Sequence, residues 1–260
     1  MNKGKFKTKL PSDEVIRDQD EEYFFIEIDG AWKKIRFHDY EEIYKIPGLY
    51  EHLFYDRLKC DSPQVVADLL EDELDGEAIS MSDLKVLDLG AGNGIVGEVL
   101  AEKGVSSIVG VDIIKGAAEA AERDRPGIYD DYYVEDFSDI DESLRSDLER
   151  SNLNCMTCVA ALGFNDIPVT AFANGFNLLE EEGLVAFNIK PDFIDEGDST
   201  GFACLIKEAI EENYLKMKIA RSYSHRLSVS GDAIDYIAIV GKKVEDIPED
   251  LFMDLLVSQP

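Results

Sequence analysis

The chain has 260 residues, 45% of them hydrophobic and 31% charged, a balance that can bury a core and that excludes a disordered chain. Fifty-five acidic residues against 26 Lys and Arg leave a formal charge of -29, a surface that repels phosphate backbones and anionic bilayers, so neither a nucleic acid nor a membrane is an expected partner. The basic opening MNKGKFKTKL lacks the apolar stretch of a secretory leader, no run of about 18 uncharged residues is present to span a bilayer, and the sparse cysteines (Cys60, Cys155, Cys158, Cys204) fit a reducing, cytoplasmic setting.

Residues 1–22, a Lys-rich tip followed by acidic residues that include Asp13, Glu14 and Asp18, read as a flexible lead-in. In YFFIEIDGAWKKIRF two β-rich runs flank Asp29-Gly30, a pair that favours a two-residue turn, which predicts a hairpin with strands at 23–28 and 32–37. An exposed edge there would let the hairpin pair with a second copy of the chain as a homodimer. From Asp39 a helical pattern puts Tyr40, Ile43 and Tyr44 on one face until Pro47-Gly48 breaks it. Residues 49–59 resume a helix with Leu49, Leu53, Phe54 and Leu58 as its apolar stripe. Ser62, followed by Pro63, is expected to cap a further helix carrying Val65, Val66, Leu69 and Leu70. Residues 23–79 thus form an N-terminal hairpin and a helical flank.

The remainder, residues 80–260, alternates. Strands are predicted at 85–89, 107–111, 132–135, 155–160 and 184–190, and helices at 94–103, 116–124, 141–150, 169–180 and 202–213. Such βα alternation makes an α/β, doubly wound sheet, parallel with right-handed crossovers and helices on both faces. The ending differs: 216–227 and 233–240 flank a turn at Ser230-Gly231-Asp232 and predict an antiparallel hairpin, with a short helix at 248–256.

Ligands of such sheets sit at the carboxyl ends of the strands. That edge carries Val86-Leu87-Asp88-Leu89-Gly90-Ala91-Gly92-Asn93-Gly94-Ile95-Val96-Gly97. Alternate glycines let a backbone approach a ligand, and the helix start beyond them offers free N–H groups. The next strand ends in Val111-Asp112, where a carboxylate can accept ribose hydroxyls. Gly92-x-Gly94-x-x-Gly97 satisfies the dinucleotide pattern literally, but that register puts Gly90 inside the strand and disfavours a nicotinamide oxidoreductase. Asp88, on a strand buried on both faces, needs donors, and the glycine loop folding back is expected to supply them.

The pattern of two apolar residues, Asp88, Leu89, Gly90-x-Gly92-x-Gly94 and then Asp112 resembles the first two motifs of class I S-adenosylmethionine-dependent methyltransferases. Tyr133-Val134-Glu135-Asp136-Phe137 resembles the third, and Leu178-Leu179 followed by Gly183-Leu184-Val185 resembles the lead into the fifth strand. The resemblance covers 80–241 and implies a Rossmann-like fold, mostly parallel with its reversed C-terminal hairpin, and S-adenosyl-L-methionine as methyl donor. It implies that Gly90, Ala91, Gly92 and Gly94, with Asp88 beside them, cradle the methionine half, that Asp112 holds the ribose, and that Ile113 covers one adenine face. It further implies that Asp136 and Phe137 bind the adenine amino group and edge, and that Ala160 and Ala161, before Phe164, border the methionine part and the substrate.

Other features read as follows. Cys155-x-x-Cys158 has half a zinc spacing without a second pair, and the odd separation sends the thiols to opposite faces, so no metal site is expected. Asn165-Asp166-Ile167-Pro168 reads as a helix cap with proline in the first turn. In small-molecule members an N-terminal helical segment folds over the donor, and Tyr50, Tyr55 and Arg57 are the candidates for that lid. His225 is a candidate general base and Arg226 a candidate substrate contact. The expected activity is methyl transfer to O, N or C of a small molecule, in a pocket roofed by 40–60 and walled by Phe164 and 225–231. Protein methylation and a non-catalytic donor-binding module are the alternatives.

Overall fold

The computed structural model describes residues 6–11, 19–75, 78–164, 166–194, 198 and 200–257, with side chains described as far as residue 253. Asp13, Glu14 and Asp18 of the lead-in, and Asn165, lie outside these residues. The described part of the lead-in is structured, which corrects the expectation for that stretch. β1 (Thr8–Lys9) pairs antiparallel with β2 (Tyr23–Ile28), Thr8 opposite Ile26. β2 turns through Asp29 and Gly30, both at positive φ (52° and 81°), into β3 (Ala31–Arg36). Two consecutive positive φ values match the twist of a tight hairpin, and Asp-Gly is suited to them. The order β1-β2-β3 leaves β3 as an edge.

After α1 (Tyr40–Tyr44) the expected helix forms, but residues Glu51–Arg57 are π-helical rather than α-helical, with the Leu58 N–H donating to the Leu53 carbonyl. The apolar stripe is buried as its spacing predicts. Leu49, Leu53, Phe54 and Leu58 join Phe24, Ile35, Phe37 and Ile43 in a core of their own. α2 (Ser62–Leu74) starts one residue earlier than expected, with Asp61 at the cap position and no side-chain cap bond. The Ser62 hydroxyl is instead turned inward, toward Tyr223 and His225.

The alternating segment forms β4 (Lys85–Leu89), α3 (Ile95–Glu102), β5 (Ser107–Asp112), α4 (Lys115–Asp124), β6 (Asp131–Val134) and α5 (Glu142–Glu149). It continues through β7 (Cys155–Cys158), α6 (Val169–Asn177), β8 (Leu184–Ile189), α7 (Phe202–Glu211), β9 (Leu215–Leu227), β10 (Ala233–Lys243) and α8 (Glu249–Val257). The strands assemble in the order β6-β5-β4-β7-β8-β10-β9, parallel from β6 to β8, with β10 antiparallel to both its neighbours. Successive residues of β4 serve opposite faces. Leu87 and Leu89 pack with Met156, Phe172 and Phe187 on one side, while Val86 packs with Leu100, Cys155 and Ala186 on the other. Cys155 and Cys158 are both fully buried and divide between these two layers. β7 ends at Cys158, two residues short of the expected end, because Ala160 is left-handed (φ 56°) and turns the chain off the sheet. Among the described residues no helix is long and apolar enough to cross a membrane.

Candidate active site

Topology puts the carboxyl ends of β4, β5, β6 and β7 side by side, and a cavity of about 1000 Å³ opens there. Gly90, Ala91 and Gly92 form its floor. Gly90 (φ 75°) and Gly92 (φ 55°) take a backbone conformation that side chains disfavour, and neither has room for one. A Cβ on Gly90 would stand 2.8 Å from Ile167, and one on Gly92 would stand 2.7 Å from the Tyr44 hydroxyl. Asp112, at the end of β5, ties this loop down: one carboxylate oxygen accepts from Gly92 N–H at 2.9 Å and the other from Ile114 N–H at 2.8 Å. Burial pushes its carboxyl pKa up, opposed by these backbone donors. Beside it Ile113 is 61% exposed, a large apolar side chain left standing at the cavity wall. Glu135, Asp136 and Phe137 follow β6 along the same wall. The Asp136 carboxylate accepts from Ser138 N–H at 2.8 Å, and Phe137 is buried with its back in the core. Ala160 and Ala161 line the opposite wall.

Two of the expected donor contacts are corrected. Asp88 is fully buried beneath the cavity and does not line it. Its donors are not the glycine loop but two hydroxyls, Tyr129 Oη and Thr157 Oγ1, each at 2.8 Å. Burial still raises its pKa to about 6. Gly94 starts α3, and its missing Cβ faces Tyr129 rather than the cavity. Its positive φ (86°) is what the turn requires.

The N-terminal flank is the roof. Tyr40, Tyr44, Tyr50 and Tyr55 all line the cavity, and the wider π-helical turn lets Tyr50 and Tyr55, five residues apart, both reach it. Polar latches hold this roof on the core. Glu51 accepts from Asn93 Nδ2 and Arg125 Nη1, both at 2.9 Å, and Arg125 also donates to Glu98 at 2.8 Å. Arg123 donates to the Tyr44 carbonyl at 3.0 Å. Arg57 is exposed and lines no cavity, so its place in the lid is withdrawn.

A second cavity of about 460 Å³ adjoins the first: Tyr40, Tyr50, Ala160 and Asp166 line both. Phe164 (φ 53°) walls it, resting edge-on against Phe193 and His38. Of the 225–231 region only His225 and Arg226 reach it, while Val229 packs against the flank core. Arg226 is buried and spent in an ion pair with Glu22 at 2.6 Å. His225 Nδ1 lies 2.5 Å from Ser62 Oγ, and its ring stacks on Tyr236 at 4.1 Å. Burial lowers its pKa to about 3, so the ring is neutral. Asp166 does not cap α6, as Pro168 stands at that position, and its carboxylate instead meets His38 Nδ1 at 3.0 Å.

Residues 87–187 match the family model of a methyltransferase domain. The N-methyltransferase NodS from Bradyrhizobium japonicum WM9, determined with S-adenosylhomocysteine, superposes with a TM-score of 0.52 at 14% identity over 80% of this chain and 98% of that one. The family-model match spans less than half of the chain, and the superposition at 14% identity shows a shared Rossmann-like fold. Magnesium protoporphyrin IX methyltransferase (ChlM) from Synechocystis PCC 6803, with bound donor, superposes at 0.48 with 14% identity over 70% of this chain and 79% of that one. A methyltransferase from Methanosarcina mazei gives 0.46 with 18% identity over 63% and 94%. No curated protein sequence matches.

Sequence reasoning placed Tyr40 and Tyr44 within the 40–60 roof without singling them out, and missed His38, Asp166 and Gln19 as cavity residues. The tyrosines carried a signal, since both lie on the apolar face read for α1. His38 and Gln19 carried none.

Proposed function

We propose that the chain is an S-adenosylmethionine-dependent methyltransferase that acts on a small molecule, at O, N or C, held in the second cavity. The observation that carries this reading is the shared lining: Tyr40, Tyr50, Ala160 and Asp166 border both spaces, so an acceptor in the second cavity abuts the donor under one roof. The first cavity has the features the donor needs, namely a side-chain-free glycine floor, an anchored carboxylate and an apolar residue left exposed. In this reading Gly90, Ala91 and Gly92 give backbone contact to the methionine half, and Asp112 accepts the ribose hydroxyls. Ile113 covers an adenine face, Asp136 accepts the adenine amino group, and Phe137 packs on its edge. The bound donor supplies a methyl group on a sulfonium, which an in-line lone pair can displace. The chain contributes positioning, and the tyrosine roof excludes water.

The test is incubation with methyl-labelled S-adenosylmethionine and a cell extract, followed by separation of small molecules from protein. Label is expected in the small-molecule fraction. Label confined to protein would replace this reading with protein methylation.

A further inference from the structure

The second cavity holds two histidines whose hydrogen bonds assign them opposite proton states. Asn188 Nδ2 donates to Ser62 Oγ at 3.2 Å, and the Tyr223 hydroxyl shares its proton with the same oxygen at 2.6 Å. Asn188 Nδ2 also donates to Tyr223 Oη at 2.7 Å, so assigning the tyrosine proton to Ser62 Oγ satisfies every donor; Ser62 then donates to His225 Nδ1, and the proton of that neutral ring falls on Nε2. His225 is therefore a hydrogen-bond donor to the cavity, not the base expected from sequence. His38 is the reverse. Its Nδ1 faces the acceptor-only carboxylate of Asp166 and must carry the proton, so Nε2 keeps its lone pair. That nitrogen has no hydrogen-bond partner among the described residues, and His38 lines the second cavity.

Two further features describe the ligand. Gln19 Oε1 is buried in this cavity without a partner, while its Nε2 donates to Tyr236 Oη at 3.1 Å. The walls are aromatic: Phe37, Tyr40, Tyr50, Phe54, Phe164 and Tyr236. Among the described residues that line this cavity the one Arg or Lys is Arg226, which is held by Glu22.

Resting on the small-molecule reading above, we propose that the acceptor is a small phenol or enol, that His38 is the base that takes its hydroxyl proton, and that Asp166 is the residue that positions His38. Gln19 and His225 hold the acceptor's other polar edge, Gln19 accepting and His225 donating. In the reaction the acceptor's O–H proton passes to His38 Nε2, and the oxygen lone pair forms a bond to the donor methyl carbon. The C–S bond breaks with its electrons remaining on sulfur, which becomes a neutral thioether. The imidazolium, held by the Asp166 carboxylate, later returns its proton to water. A phenol ionises near pH 10, within reach of such a pair, whereas a neutral amine has a lone pair already and needs no base.

The titratable and charged groups around His38 in this cavity are Asp166, the Arg226–Glu22 pair, Cys60, His225 and the tyrosines at 40, 50 and 236, with the Lys190–Asp192 pair behind Phe164. Burial holds the three phenols protonated and raises the Cys60 thiol.

The experiment uses 4-nitrophenol as the probe, added to the full chain saturated with S-adenosylhomocysteine, and follows the phenolate absorption against pH. In the wild type, phenolate should persist about one pH unit or more below its ionisation in free solution, the size of shift a single nearby charge produces. His38→Gln should abolish that shift and Arg57→Ala, at an exposed position outside both cavities, should keep it, while all three proteins retain S-adenosylhomocysteine binding. Identical ionisation in wild type and His38→Gln, or no binding of the phenol to the saturated protein, would overturn the proposal. Transfer of label to an amine without a hydroxyl would overturn the acceptor class yet leave small-molecule methylation standing. Label on protein alone would overturn both.

Discussion

The two cavities that meet beneath the tyrosine roof are made differently. The side proposed for the donor is built from backbone: four strand ends, a glycine loop and one aspartate that bonds two amides of that edge. The acceptor side is built from side chains of scattered segments, with Gln19, His38, Cys60, Asp166 and His225 drawn together from across the chain. Backbone geometry imposes strict residue requirements, as at Gly90 and Gly92, where any Cβ collides. Side-chain geometry does not, so the same fold admits other walls. The donor is the part common to such enzymes and the acceptor the part that is individual to each.

The largest expected effect separates these halves. Cys60→Phe places a ring in the acceptor cavity, which Cys60 lines, away from the donor floor. Methyl transfer should fall by about a hundredfold or more, since displacing a bound acceptor removes its positioning, while S-adenosylhomocysteine affinity stays within about twofold. Retained transfer in a folded variant would place the acceptor elsewhere.

Stability against pH sharpens the contrast, because each half holds a buried group whose pKa is moved into the acid range between about 3 and 6. Asp88, under the donor floor, has its pKa raised to about 6 from 3.8. The fold therefore holds this proton where the unfolded chain has released it, and stability falls as pH rises across that window. His225, in the acceptor wall, has its pKa lowered to about 3 from 6.5, so stability falls as pH drops below 6.5. Between about pH 4 and 6 the two slopes oppose one another, each about 1.4 kcal/mol per pH unit. Denaturant melts of Asp88→Asn should show stability lost on acidification across this range. His225→Gln should show stability gained. Parallel pH profiles in the two variants would refute the assignment of these groups as both buried neutral, Asp88 with its proton and His225 without.

The roof supplies the next effect. Arg125→Met removes the charged hydrogen bonds to Glu51 and Glu98 and should cost about 1.5–3 kcal/mol. It should also speed amide exchange across residues 40–57, with S-adenosylhomocysteine restoring part of the protection. Arg57→Ala should change stability by less than about 0.5 kcal/mol and leave exchange alone, as an exposed surface position does. A large effect of Arg57→Ala on turnover would return it to the site.

The legible part of the molecule follows the same division. The βα alternation, the hairpin at Asp29-Gly30 and the floor from Gly90 to Asp112 were readable because local pattern and backbone conformation are tied to residue type. Glu22, Gln19 and Asp166 were not, since each acts through a partner far along the chain: Arg226, Tyr236 and His38. Asp88 is the instructive intermediate. Its need for donors was legible from a carboxylate on a buried strand, but their identity, Tyr129 and Thr157, depends on which strands lie beside β4. The π-helical turn at Glu51–Arg57 carried no signal, because its apolar stripe serves an α-helix as well.

The most direct test of where the donor sits is calorimetric titration of S-adenosylhomocysteine into Asp112→Ala and Asp88→Asn. Asp112 faces the cavity and Asp88 lies sealed beneath it. Asp112→Ala should weaken binding by roughly 1.5–3 kcal/mol, tenfold to about a hundredfold, the range for hydrogen bonds to a charged group. Asp88→Asn should bind within about twofold of wild type, because its charge is spent on Tyr129 and Thr157. Undiminished affinity in a folded Asp112→Ala, or an equal loss in both variants, would contradict the placement of the donor along this edge.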